Sequence, residues 1–159
     1  MKFLGTAAKT GIGGVGIAAI SVFGAATALA QPATAPFGSG EQLVDGPMVT
    51  TYTVSHLQPS TVTIPGFQPA GNLYQADVTA KADSGTVTPL VADFNARTAD
   101  GQTYRMISSV PMPDGINPAP IGQGDQSSGK IYFDVTGSPP NGVAYNDGVK
   151  DVLIWTNQA

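Results

Sequence analysis

The stretch Gln-Ser-Ser-Gly-Lys-Ile-Tyr-Phe-Asp-Val-Thr-Gly, residues 126–137, decides the fold. Ile131, Phe133 and Val135 alternate with Lys130, Tyr132, Asp134 and Thr136. A period of two, apolar against polar, is the pattern of a strand with one buried and one wet face. Gly129 and Gly137 bracket the run. It reads as the central strand of a β core, with Tyr132 on the wet side beside Lys130.

Outward from it, the chain offers strands and turns. Residues 73–82 set Tyr74, Ala76, Val78, Ala80 and Ala82 against Gln75, Asp77, Thr79 and Lys81. Residues 48–57 place Thr50, Tyr52, Val54 and His56 on one face, with Val49, Thr51, Thr53 and Ser55 on the other, rich in β-branched residues. Residues 61–64 form a short strand stopped by Pro65-Gly66, and 42–45 a short edge strand. Residues 86–98 and 102–108 pair as a hairpin across Asp100-Gly101, a type I′ signal, with Pro89 demoting the start of that run. Residues 111–125 are a long Pro- and Gly-bearing loop whose Met112, Ile116 and Ile121 either serve as an apolar contact surface or tuck under the loop as a small satellite cluster. Residues 151–155, Asp-Val-Leu-Ile-Trp, are apolar on both faces and read as an interior strand. No stretch of ten or more residues beyond the N-terminal segment has a helical period.

Composition agrees. The 159 residues include 20 Gly and 13 Pro, and only 11% are charged, which disfavours long surface helices and fits short strands joined by turns. A formal charge of −4 with scattered Lys81, Arg97, Arg105, Lys130 and Lys150 argues against nucleic acid as a partner. The absence of cysteine removes disulfides, thiol catalysis and thiolate metal sites.

Residues 1–30 read as an export signal: Lys2 and Lys9, then an uncharged run, then Ala28-Leu29-Ala30 before the cut. The run is diluted by Gly11, Gly13, Gly14, Gly16 and Gly24, so it is a poor membrane anchor, and none remains after cleavage. Losing the two lysines takes the formal charge from −4 to −6. Residues 31–40, rich in Pro, Ala, Gly and Ser, read as a flexible lead-in, and residues 41–159 as the folded domain.

Chemistry is sparsely marked. His56, the one histidine, lies near Ser55 and Ser60, yet no Gly-x-Ser-x-Gly elbow marks a nucleophile. Asp114-Gly115, Asp125 and Asn146-Asp147-Gly148 lack the alternating calcium-loop pattern. Gly122 to Asp125 lacks the Lys-Ser/Thr of a phosphate loop. Tyr52, Tyr74, Tyr104, Tyr132 and Tyr145 could form an aromatic contact surface, but such residues are more often strand packing with the hydroxyl at the rim. No catalytic, cofactor-binding or metal-binding residue is assigned, and no cofactor.

Several blocks together carry a resemblance: Val54-Ser-His-Leu57, Ile64-Pro-Gly66, Phe94-Asn-Ala-Arg-Thr-Ala-Asp-Gly101 with Tyr104-Arg105, the run 123–137, and Asp151-Val-Leu-Ile-Trp155. They resemble the mycobacterial immunoprotective extracellular protein family, small secreted antigens of the MPT/MPB series. The resemblance implies an all-β, immunoglobulin-like antiparallel β-sandwich, secreted and immunogenic, and brings no catalytic residues with it. The expected role is a non-enzymatic binding or interaction domain whose partner is an unidentified host or cell-envelope protein. The alternatives are an envelope hydrolase using His56 and a purely structural or decoy antigen.

Overall fold

A computed structural model describes residues 32–157. Nine strands form two sheets: β1 (Ala33–Pro36), β2 (Gly40–Asp45), β3 (Met48–Pro59), β4 (Asn72–Ser84), β5 (Phe94–Arg97), β6 (Thr103–Arg105), β7 (Gln126–Val135), β8 (Gly142–Asn146) and β9 (Asp151–Thr156). One sheet runs β1-β9-β8-β5-β6 and the other β2-β3-β4-β7. All pairings are antiparallel except β1 with β9. The result is the immunoglobulin-like antiparallel sandwich that the resemblance implies.

The inner faces make one core. Tyr52, Val54, Ala76, Val78, Ile131, Phe133 and Val135 come from the four-stranded sheet, and Phe94, Val143, Tyr145, Leu153 and Trp155 from the other. Tyr52, Phe94 and Tyr145 pack at 5.3 Å between ring centroids, with the Phe94 ring nearly perpendicular to both tyrosines. Edge-to-face packing sets the positive ring edge against a negative ring face, adding about 1 kcal/mol per pair beyond burial. Trp155 is fully buried, and its Nε1–H donates to the Ser39 carbonyl at 2.9 Å, fastening the segment before β2 to β9.

Several expectations are corrected. The lead-in, expected over 31–40 and described from residue 32, is not a flexible tail there: Ala33–Pro36 is a strand paired in parallel with 153–156, and β2 begins at Gly40. Its composition gives little strand propensity, so the pairing with β9 has to come from tertiary context. β7 starts at Gln126, not after Gly129, and lies at the end of its sheet. Loop backbone covers its free side: Ile107 N–H donates to the Tyr132 carbonyl at 2.9 Å, and Lys130 N–H to the Asp114 carbonyl at 2.8 Å. Gly129 permits this approach, since a Cβ there would lie 2.4 Å from the Ile116 backbone. Tyr132, expected on the wet face, is fully buried in a second cluster with Ile64, Leu73 and Ile107. Residues 61–64 form no strand, and Ile64 belongs to that cover.

The run 86–98 contributes only β5, preceded by a 3-10 turn over Val91–Asp93. The β5–β6 loop is not a two-residue type I′ turn. Thr98 N–H donates to the Gln102 carbonyl, Gly101 N–H donates to the Thr98 carbonyl, and Gly101 alone there takes a positive φ, of 95°. That is a three-residue loop closed by a glycine bulge.

Candidate functional site

The residues with chemistry to offer meet on the outer face of the four-stranded sheet. In register, Ser55 of β3 faces Asp77 of β4, and Asp77 faces Lys130 of β7. Thr50, Tyr52 and Val54 point into the core, so continued alternation would send His56 inward too. A bulge between Ser55 and Gln58 prevents that. His56 adopts φ 56°, a left-handed conformation rare for a residue with a Cβ, and its side chain turns out to Asp77. Bulges commonly re-aim a side chain in this way.

The geometry is a hydrogen-bonded triplet with Asp77 at its centre. His56 Nδ1 lies 2.8 Å from Asp77 Oδ2, and Lys130 Nζ donates to Asp77 Oδ1 at 2.7 Å. Burial alone would raise the Asp77 pKa, but the hydrogen bonds from Lys130 and His56 outweigh it and hold the carboxyl below its usual range. The hydrogen bond to Asp77 raises Lys130 above the ordinary lysine value. Beside them runs a groove of about 450 Å³ lined by Asp77, Thr79, Asp114, Ser128 and Lys130. Thr79 and Ser128 hydroxyls meet across it at 2.8 Å. Asp114 is the other non-glycine residue with positive φ, 53°, among the described residues. Both residues in that conformation therefore border one polar surface.

This is not the layout of a serine triad, in which the acid orients one ring nitrogen and the serine meets the other. Ser55 Oγ lies 3.3 Å from Nδ1, the same nitrogen that Asp77 occupies. The imidazole is open to solvent, its side chain 71% exposed. Ser60 is engaged elsewhere, its Oγ accepting from Val62 N–H at 3.2 Å.

The other sequence candidates fall elsewhere. Asp147 Oδ1 accepts from Val149 and Lys150 N–H at 2.9 Å, and those backbone donors lower its pKa: this is turn chemistry. Among the described residues no group of three His, Cys, Asp or Glu is placed to hold a metal ion. Tyr52, Tyr104, Tyr132 and Tyr145 are buried, so they form no aromatic contact surface. Burial, with Tyr52 and Asp93 adding to it, pushes the Tyr145 hydroxyl far up. The apolar residues of loop 111–125 are packing, too: Ile116 and Ile121 are buried in the main core, and Met112 packs on the second cluster. Sequence reasoning did not single out Asp77 or Lys130, and it named Asp114 only as a calcium-loop candidate. The first two sit at ordinary polar positions of alternating strands, and only strand register brings them together.

Residues 32–155 match the family described as Domain of unknown function (DUF1942). The chain is 48% identical over 155 residues to immunogenic protein MPB63 of Mycobacterium bovis, covering 96% of this chain and 98% of that protein. Identity and coverage are the same for immunogenic protein MPT63 of Mycobacterium tuberculosis. The crystal structure of MPT63, a secreted protein from Mycobacterium tuberculosis, superposes with a TM-score of 0.77 at 49% identity, covering 80% of this chain and 98% of the other. With its sandwich and nearly its whole length shared with these proteins, the chain belongs to the family of the immunogenic proteins MPT63 and MPB63.

Proposed function

We propose that the protein is an exported immunogenic β-sandwich that works by binding, and that it binds through the outer face of the four-stranded sheet around Asp77 and Lys130. The observation that carries this reading is the position of His56. Its ring is exposed, and both of its side-chain neighbours share Nδ1, so among the described residues no serine is placed at the other ring nitrogen for the imidazole to activate. What surrounds it is a surface of hydroxyls, carboxylates and one ammonium on rigid strands, which suits polar recognition. The partner class is a cell-envelope or host-surface protein.

Export rests on residues 1–30, which lie outside the described residues, and on the secreted relative. Mass spectrometry of culture supernatant should find the mature N-terminus at Gln31 or a few residues later. Recovery only from the membrane pellet with residues 1–30 intact would count against export.

The binding test uses the mature chain immobilised against envelope and host-surface fractions, alongside ester and peptide turnover assays. The expected result is a retained partner whose binding falls in an Asp77→Ala/Lys130→Ala variant, with turnover at the blank level. Turnover that disappears in His56→Ala would replace this reading with a hydrolase. Binding unaffected by the double variant would place the contact on another face.

A further inference from the structure

On the opposite side of the sandwich, the outer face of the five-stranded sheet holds a recess of about 280 Å³. Phe94 and Ala96 point into the core, so Asn95 and Arg97 point outward. Outward strand positions of an antiparallel sheet are normally wet. Here Asn95 is only 8% exposed and the Arg97 side chain 28%. The 3-10 turn at Asp93, the β8–β9 turn at Asn146 and Gly148, and Thr103 and Arg105 of β6 wall the recess. Arg97 and Arg105 are the chain's two arginines, and both line it.

The donors there outnumber the acceptors. Asp151 is already committed: Arg97 Nη2 and Asn146 Nδ2 both donate to its Oδ1. Asp93 acts on the Tyr145 hydroxyl at the inner end. Arg105 makes no ion pair among the described residues. Arg97 Nε is buried with no acceptor. A buried donor without a partner is uncommon in folded proteins and calls for an explanation. We propose that this recess binds one carboxylate group, carried by a small organic acid or by an acidic side chain of a peptide.

A guanidinium presents parallel N–H groups that match the two oxygens of a planar carboxylate. Arg97 has Asp151 as its ion partner and Arg105 has none among the described residues, so one guanidinium is free to meet one carboxylate. A phosphate dianion would bring a second charge against Asp93 and Asp151, which favours the monoanion.

The test is a nitrogen-15 NMR titration of the folded mature protein at constant ionic strength. The probes are acetate, N-acetyl-glutamate amide and inorganic phosphate, with chloride as the balancing ion. Saturable shifts are expected at the Arg97 and Arg105 Nε–H groups and at Asn95, Thr103 and Gly148. Arg105→Gln, an exposed change on a three-residue strand, should weaken carboxylate binding at least about ten-fold, the loss of a charge-assisted pair. Saturation by acetate identifies free small acids as sufficient. Saturation by the glutamate probe alone identifies a peptide-borne carboxylate. Shifts that stay linear, shifts undiminished in Arg105→Gln, or phosphate binding tighter than either carboxylate would overturn the proposal. None of these results bears on the His56 face, so the two readings fail separately.

Discussion

The outer face of the four-stranded sheet has two halves that differ in what lies over them. Toward the end of β7, Tyr132 is fully buried beside Leu73 of β4 and in one cluster with the loop residues Ile64 and Ile107, and its hydroxyl donates to the Pro113 carbonyl at 3.0 Å. Two residues earlier on the same strand and the same face, Lys130 lies open beside the groove, paired with Asp77. The strand treats both positions alike. Segments 60–67 and 107–113, remote in sequence, cover one and leave the other. A sandwich can thus carry a third apolar layer over part of a sheet while the rest of that sheet stays free to meet other molecules.

The largest expected effect tests that cover. Tyr132→Ala should destabilise by about 3–5 kcal/mol, as much as Phe133→Ala on the inner face, because both empty a packed site. Tyr132→Phe keeps the ring and loses the hydroxyl bond, so it should cost only about 1 kcal/mol. Urea unfolding of the three variants decides the matter. If Tyr132→Ala moves the midpoint no more than a surface change of about 0.5 kcal/mol, the loops contribute no real third layer.

A smaller effect tests the open half. His56 holds a left-handed backbone, which costs a residue with a Cβ roughly 1–2 kcal/mol. Glycine removes that cost but adds freedom to the unfolded chain, so His56→Gly should stay within about 1 kcal/mol of the parent. His56→Val keeps the Cβ, adds β-branching, and should be less stable than His56→Gly by at least about 1 kcal/mol. Equal stability of the two variants would mean the bulge relaxes in solution, and with it the turn that aims the imidazole at Asp77.

These two halves also show what the sequence could convey. Alternation at Ile131, Phe133 and Val135, and the apolar run ending in Trp155, identify inner-face residues because local pattern and burial coincide there. Tyr132 defeats the same logic: period two separates faces but is silent on what a distant loop lays over them. Ala33–Pro36 defeats composition, since its order comes from pairing with β9. His56 defeats periodicity, because a bulge without glycine leaves no mark in the residue types. The Arg97–Arg105 recess needed register and turn placement, and neither was legible from spacing alone.

The smallest effect concerns the pair at the centre of the open half. Asp77 titrates below its usual 3.8 in the folded chain, so its contribution is present above 3.8 and is lost as pH falls through the lower folded value. Lys130 titrates above its usual 10.5, so its contribution is present below 10.5 and is lost as pH rises through the higher folded value. Between those limits the pair is fully formed. Both side chains are about a third exposed, 39% and 30%, so solvent screens them, and the net worth of the pair should stay under about 1 kcal/mol. The stability difference between the parent and Asp77→Asn should therefore be flat across neutral pH and shrink at both extremes. It should also narrow in high salt, because screening shortens to a few ångströms. A difference that holds its size below the folded Asp77 value, or in molar salt, would show that Asp77 acts through packing of the bulge and not through charge. The open half would then be held by shape, like the covered half, and its claim to be a recognition surface would rest on the hydroxyls alone.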